Sequence, residues 1–235
     1  RAEWALVVST KRHRCDSVLH MLRVARDAGR LSSAEASTIF GKLDFIFTAV
    51  YGRVGRAASQ PLVERIHDAC TDFSPALRHM LGFYEALLPA LPALRIDLQD
   101  DGSPPIVLYT DASFHRDAHG TPHSHMGYTL IDPLDPQPDG SPTILHCDRA
   151  LSPSELAAFA ADRKTLIMQA EIAAGIWAYF SNPDRFRRRR VIHFIDNTGA
   201  LSALLHGYAR KLDCARMVNS FPVSYTHLTL PTSVT

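Results

Sequence analysis

The spacing of apolar positions changes once along the chain, near residue 100. Before that point it follows a helical period. The stretch DSVLHMLRVARDAG, residues 16–29, predicts a helix capped by Asp16, with Val18, Leu19, Leu22 and Ala25 on one face and a stop at Gly29. A second helix is expected from LSSAE, with Ser32 or Ser33 as cap, running through FGKLDFIFTAVYG. A third covers LVERIHDACTDF, and a fourth ALRHMLGFYEALL, closed by Pro89 and Pro92. The polar stretch LQDDGSPP, residues 98–105, is the best domain boundary in the chain. The expected division is a helical segment at 1–100 and a second domain at 104–222.

After the boundary the pattern turns to α/β. IVLYTD, MGYTLID (126–132) and PTILHCDRAL (142–151) read as strands joined by turn-rich connections, which predicts an antiparallel meander. A helix around LIMQAEIAAGIWAYF follows, then the basic turn NPDRFRRRR, then the strand VIHFID. The intervening helix places VIHFID parallel to the first strand. Its own helix follows in TGALSALLHGY. The fold class is therefore α/β: a mixed sheet with flanking helices, preceded by a small helical segment.

Composition narrows the picture. A chain of 235 residues holds one large domain or two modest ones. With 46% hydrophobic and 21% charged residues it reads as a soluble globular protein. A net charge of +1 makes no case for a polyanion partner from the whole chain, so only local patches can. Cysteines 15, 70, 147 and 214 are far apart and form no CxxC pair, which argues against a zinc ribbon or disulfide framework and fits a reduced intracellular setting, nuclear or cytoplasmic. No apolar run approaches a membrane span and no signal-peptide pattern opens the chain. Position 1 is Arg, as expected of a sequence that starts inside a longer protein.

Both IVLYTD and VIHFID end on an acid, Asp111 and Asp196. In open sheets the ligand crevice lies beyond the carboxyl ends of parallel strands, so parallel neighbours would set these acids side by side. Glu171 shares a helix face with Ile167, Ala174, Gly175 and Ala178, a small apolar surface suited to packing on the sheet. An ionised Glu buried there alone is expensive, and tolerable if it reaches the same crevice and meets a cation. Three carboxylates without a matching lysine cluster describe a divalent-metal site, whose oxygen-only ligands select Mg²⁺ or Mn²⁺. Two ions roughly 3.5–4 Å apart would relieve the repulsion and clamp a phosphodiester. The plainer readings stay open. An Asp at a strand end often caps or turns, although Asn197 and Thr198 can cap the next helix, and Glu171 could project from a partly exposed helix. RFRRRR, residues 185–190, reads equally as a phosphate contact or a solvated turn. His115, His119, His123 and His125 read as a solvated hairpin loop, and Trp177 and Phe180 as core.

TDAS after the first strand, AEIAA in the helix and FIDNTGAL after the last strand resemble the ribonuclease H domain of retroelement polyproteins, with the closest likeness to DIRS-like retrotransposons over residues 104–222. LSSAEASTIFGKLDFIFTAVYGRVGR, with its GKL…GR pattern at Gly41 to Arg53, resembles the thumb or connection of the same polyproteins. The resemblance implies a ribonuclease H-like fold and two-metal hydrolysis of the RNA strand of RNA–DNA hybrids with Mg²⁺ or Mn²⁺. It puts the metal-binding, catalytic acids on Asp111, Glu171 and Asp196. Ser113, Asn197, Arg187, Arg188, Arg189 and Arg190 would touch nucleic acid, and a polymerase palm would lie upstream. The polymerase signature Tyr-x-Asp-Asp is absent. The family's fourth acid comes late, and Asp213 is a poor late candidate. VSYTHLTLPT, residues 223–232, resembles a translated sequencing adapter, so 223–235 is expected to be a non-native tail. Two other readings remain: a truncated, non-catalytic fragment that only binds nucleic acid, and a different nuclease or transposase on the same fold.

Overall fold

A short strand, β1 (Ala5–Val8), pairs with β2 (Leu94–Asp97), and four helices lie between them in the chain: α1 (Arg12–Asp27), α2 (Ser33–Thr48), α3 (Gln60–Ile66) and α4 (Pro75–Leu87). The computed structural model describes residues 5–50, 53–91, 93–97, 102–159, 165–187 and 189–225. They fall into two compact units, one built on 5–96 with 206–223, the other on 97–205. The expected linker is described only from Gly102 onward; Gly52, Pro92, Arg188 and residues 226–235 of the expected tail also lie outside the described residues.

In the helical unit, Val18, Leu22, Leu31, Leu43, Phe47, Leu62, Leu77 and Tyr84 form one core. The helices depart from expectation in instructive ways. Cys15 acts as a small hydrophobe and extends the buried stripe of α1 by a turn, so α1 starts at Arg12 and Asp16 lies inside it. Of the two expected caps, Ser32 and Ser33, it is Ser32 that caps α2, through a reciprocal pair with Glu35. α3 stops at Ile66 because the buried Arg65 guanidinium donates to the carbonyls of Cys70 and Asp72, holding the next residues as a loop. Gly55 has φ +89°, and a Cβ there would collide with the Leu87 side chain, so glycine is required. Gly41, in the middle of α2, is the opposite case. A Cβ there would meet nothing within 4 Å, yet glycine inside a helix costs about 1 kcal/mol relative to alanine.

The second unit carries β3 (Ile106–Arg116), β4 (Pro122–Pro136), β5 (Pro142–Ala150), α5 (Pro153–Ala158), α6 (Ile167–Ser181), α7 (Pro183–Phe186), β6 (Val191–Ile195) and α8 (Thr198–His206). The last helix, α9 (Leu212–Tyr225), belongs up to Val223 to the helical unit and runs three residues into the stretch read as a tail. The sheet order is β5-β4-β3-β6, with β3 antiparallel to β4, β4 antiparallel to β5, and β3 parallel to β6. This is the expected α/β class, a mixed sheet with flanking helices consistent with a ribonuclease H-like fold. α6 packs on β3 and β4. Ile106, Leu108, Met126, Tyr128 and Leu130 are buried, while Tyr109, Ile144, Ile192 and Phe194 are exposed. Phe180 is exposed as well, against the expectation of a core position. Trp177 packs edge-on to Tyr128, ring centroids 5.0 Å apart.

One buried charge organises the lower end of this sheet. Asp132 on β4 is 3% exposed and meets Arg189 at 2.9 Å and Arg185 at 3.4 Å; Arg185 also meets Asp135 at 2.7 Å. Removing Asp132 leaves the largely buried Arg189 without its carboxylate while Arg185 keeps Asp135, so Asp132→Ala is expected to cost about 2–3 kcal/mol in urea denaturation. A loss below about 1 kcal/mol would place this network with ordinary surface pairs.

Candidate metal centre

The parallel ladder between β3 and β6 runs from Ile106↔Val191 to Thr110↔Ile195. The next residue on each strand is an acid, so Asp111 and Asp196 leave the ladder together, at the same end. β3 does not stop at Asp111, as its apolar run implied; it continues to Arg116 against β4, with Asp111 opposite Gly127. Glu171, on α6, completes the group, and one carboxylate oxygen from each residue lies within 4.8 Å of the others.

The environments differ. Asp111 and Asp196 are exposed, whereas Glu171 is 2% exposed. Glu171 Oε1 accepts the Ala112 backbone N–H at 3.3 Å. Its buried Oε2 has no hydrogen-bond partner among the described residues. Burial, then the nearby charge of Asp196 and, less, that of Asp111 push the Glu171 carboxyl up to about 7, against the opposing pull of the Ala112 N–H. α6 can approach this closely because its inner face is small. Ala170, Ala174 and Ala178 are fully buried, and a Cβ on Gly175 would stand 3.2 Å from Leu204 Cδ1 and 3.4 Å from His193 Cε1. An orphaned buried oxygen beside two further carboxylates, all hard donors, could hold a metal ion.

The other expected contacts are placed differently. Asn197 caps α8, its Oδ1 accepting the Ala200 N–H at 3.0 Å, which leaves Asp196 out of the cap. Ser113 is exposed, two residues beyond Asp111. The basic run precedes β6 while Asp196 follows it, and five strand residues put the two ends roughly 16 Å apart. There Arg189 pairs with Asp132, and Arg190 donates to the Ser103 carbonyl. Arg187 is exposed, 3.8 Å from Asp184. Asp213 lies in the first turn of α9, outside the acidic group. His115, His123 and His125 belong to β3 and β4 themselves, with His115 stacked on His123 at 5.2 Å.

His193 is the polar residue the sequence reading passed over. It stands at the inward phase of β6, between Thr110 Oγ1 at 2.9 Å and Tyr179 OH at 3.4 Å. Burial pushes it down to about 4, so it is neutral at pH 7. The unfolded chain takes up that proton near pH 6.5, and folding is penalised as pH falls from there towards 4. Between pH 7 and 5 the protein is expected to lose about 2 kcal/mol relative to His193→Gln, read by urea denaturation at both pH values. Parallel pH profiles for the two proteins would show that the imidazole titrates freely.

No protein-family model matches the chain, and no curated protein matches it. Among solved structures it is similar to the foamy viral protease–reverse transcriptase in complex with an RNA/DNA hybrid, at 15% identity and a TM-score of 0.34. The similarity covers 74% of this chain and 25% of that one. No helix among the described residues is long and apolar enough to cross a membrane.

Proposed function

We propose that the sheet unit is a metal-dependent nuclease of the ribonuclease H class, hydrolysing the RNA strand of RNA–DNA hybrids as part of a reverse transcriptase polyprotein. The observation that carries this reading is the convergence of Asp111, Glu171 and Asp196, with one oxygen of each inside 4.8 Å. The donor set is all oxygen and contains one buried carboxylate oxygen with no partner among the described residues, a combination that fits Mg²⁺ or Mn²⁺. When bound, two such ions supply an activated water and neutralise the leaving oxygen of a phosphodiester.

The chain's own residues do the positioning. The Ala112 N–H fixes one oxygen of Glu171, so its carboxylate is held before any ion arrives. The Thr110–His193 bond ties β3 to β6 one residue before the acid on the former strand and three before the acid on the latter, which keeps the acids in register. Asp111 and Asp196 are exposed, so a polymer can reach them without opening the fold. The helical segment at 1–100 is then the connection that precedes the nuclease, and Ser113, exposed two residues beyond Asp111, touches the substrate backbone.

The test is cleavage of an end-labelled RNA–DNA hybrid with Mg²⁺ and with Mn²⁺, beside duplex DNA and duplex RNA of the same sequence. The expected result is cutting of the hybrid's RNA strand alone, lost in EDTA and in Asp111→Asn. Cutting of duplex DNA reassigns the site to another nuclease chemistry, and no cutting of any substrate by the folded chain overturns the reading.

A further inference from the structure

Histidines 115, 119, 123 and 125 gather at the tip of the β3–β4 hairpin, and the acidic group uses none of them. A loop would scatter their side chains, but the ladder runs through three of the four. His115 stands directly opposite His123, and Ser113 opposite His125. Side chains alternate between faces along a strand, so His115, His123 and His125 share one face. The rings of His115 and His123 lie 5.2 Å apart, centre to centre, and 17° from parallel. Arg116, the neighbouring cation, takes the other face, where it donates to the Gly120 carbonyl at 2.9 Å and lies over the Phe114 ring.

The turn holds one more group in place. Asp117 Oδ1 accepts the His119 and Thr121 N–H groups, both at 2.9 Å, and the Asp117 N–H donates to the Thr121 carbonyl at 3.1 Å. The Thr121 N–H, then His123 and the His119 N–H, hold the Asp117 carboxyl below its ordinary range. Its second oxygen, Oδ2, lies 3.3 Å from His123 Nε2. A carboxylate can only accept, so Nε2 carries the proton and the neutral ring offers the lone pair of Nδ1. A carboxylate placed this way fixes the tautomer and the orientation of a metal-binding imidazole. Turn formation accounts for Oδ1 alone. It does not account for two imidazoles stacked across the ladder, which repel each other when both are charged and are drawn together by an ion that both can bind.

We propose that the hairpin tip binds a divalent ion of the zinc class through the imidazoles of His115 and His123, with Asp117 orienting His123. Nitrogen donors select such ions, whereas the oxygen-only acidic group selects Mg²⁺ or Mn²⁺, so ligand type sorts the ions between the two sites. Both rings are exposed, so water completes the shell. An ion held there ties β3 to β4 beyond Asp111 and stiffens the strand that carries this acid. The site needs no nucleic acid and does not depend on the nuclease reading.

The experiment is calorimetric titration of the metal-free full chain with Zn²⁺ near neutral pH, in excess Mg²⁺, which fills oxygen sites without competing for imidazole. His115→Ala and His123→Ala are each expected to weaken Zn²⁺ binding at least about 10-fold. Asp117→Asn keeps an acceptor oxygen for the turn but turns an amide towards His123, and is expected to weaken binding about 10-fold. His20→Ala, which removes an exposed histidine of α1, is expected to leave it unchanged. Zn²⁺ should also raise the melting temperature of the parent, and not that of the chain carrying both His115→Ala and His123→Ala. All four residues are exposed, so the variants should fold like the parent. Equal Zn²⁺ binding by the parent and the hairpin histidine variants overturns the proposal, and so does an Asp117→Asn chain that binds like the parent. A loss in His20→Ala as large as that in His123→Ala would mean adventitious binding by scattered surface histidines and overturns it too.

Discussion

Asp111→Asn is expected to slow RNA-strand hydrolysis by about 10³-fold or more while leaving the fold untouched. The substitution keeps the shape of the side chain and removes one of the negative charges that the site offers to a cation. Charge stabilisation by a bound metal is worth several kcal/mol in the transition state, and each 1.36 kcal/mol is tenfold in rate. Asp111 is exposed and lies beyond the last β3–β6 pair, so its neutralisation breaks no ladder contact and only eases the repulsion on the buried Glu171. Exposed substitutions of this kind change stability by no more than about 0.5 kcal/mol, so the melting temperature should hold. Single-turnover cleavage of the hybrid beside a thermal melt reads both quantities. A variant that cuts within about tenfold of the parent would remove Asp111 from the chemistry and leave the three acids as a cluster without a catalytic role.

The acids were legible in the sequence because two apolar runs each stop on a carboxylate, and that stop is a local signal. What the sequence did not reveal is why they stop. β3 continues through ASFHR, whose mixed side chains carry no period of their own, and only pairing with β4 keeps them extended. The destination of the arginines was also out of reach. Arg185 and Arg189 find Asp132 across 53 and 57 residues of chain, a partnership set by sheet register and invisible to composition. The early start of α1 turned on whether Cys15 counts as apolar, which its burial decides. β1 and β2 are four residues each, too short for alternation to register. His193 was detectable in principle. A histidine at the inward phase of a strand asks for a partner, whereas the four histidines of the hairpin are exposed.

The buried acid makes the sharper thermodynamic claim. Glu171→Gln is expected to abolish cleavage and, in the absence of metal, to make the protein more stable, by an amount that grows with pH. The folded carboxyl titrates near 7 and the unfolded one near 4.5. Below both values each state carries the proton and the penalty vanishes. As pH rises the unfolded chain releases its proton first, so stability falls, and the full penalty is present only above about pH 7, where it reaches about 3 kcal/mol. A neutral glutamine escapes that penalty. His193 pulls the other way at acid pH, so the clean readout is the difference between the two proteins. That difference should be under about 1 kcal/mol at pH 5 and about 3 kcal/mol at pH 8 in EDTA. Mn²⁺ should stabilise the wild type increasingly as pH rises, because it competes with the proton for Glu171, and should do little for the variant. Urea denaturation at the two pH values, with and without Mn²⁺, decides the matter. A pH-independent difference, or equal stabilisation of both proteins by Mn²⁺, would mean that the buried oxygen of Glu171 is not waiting for a cation.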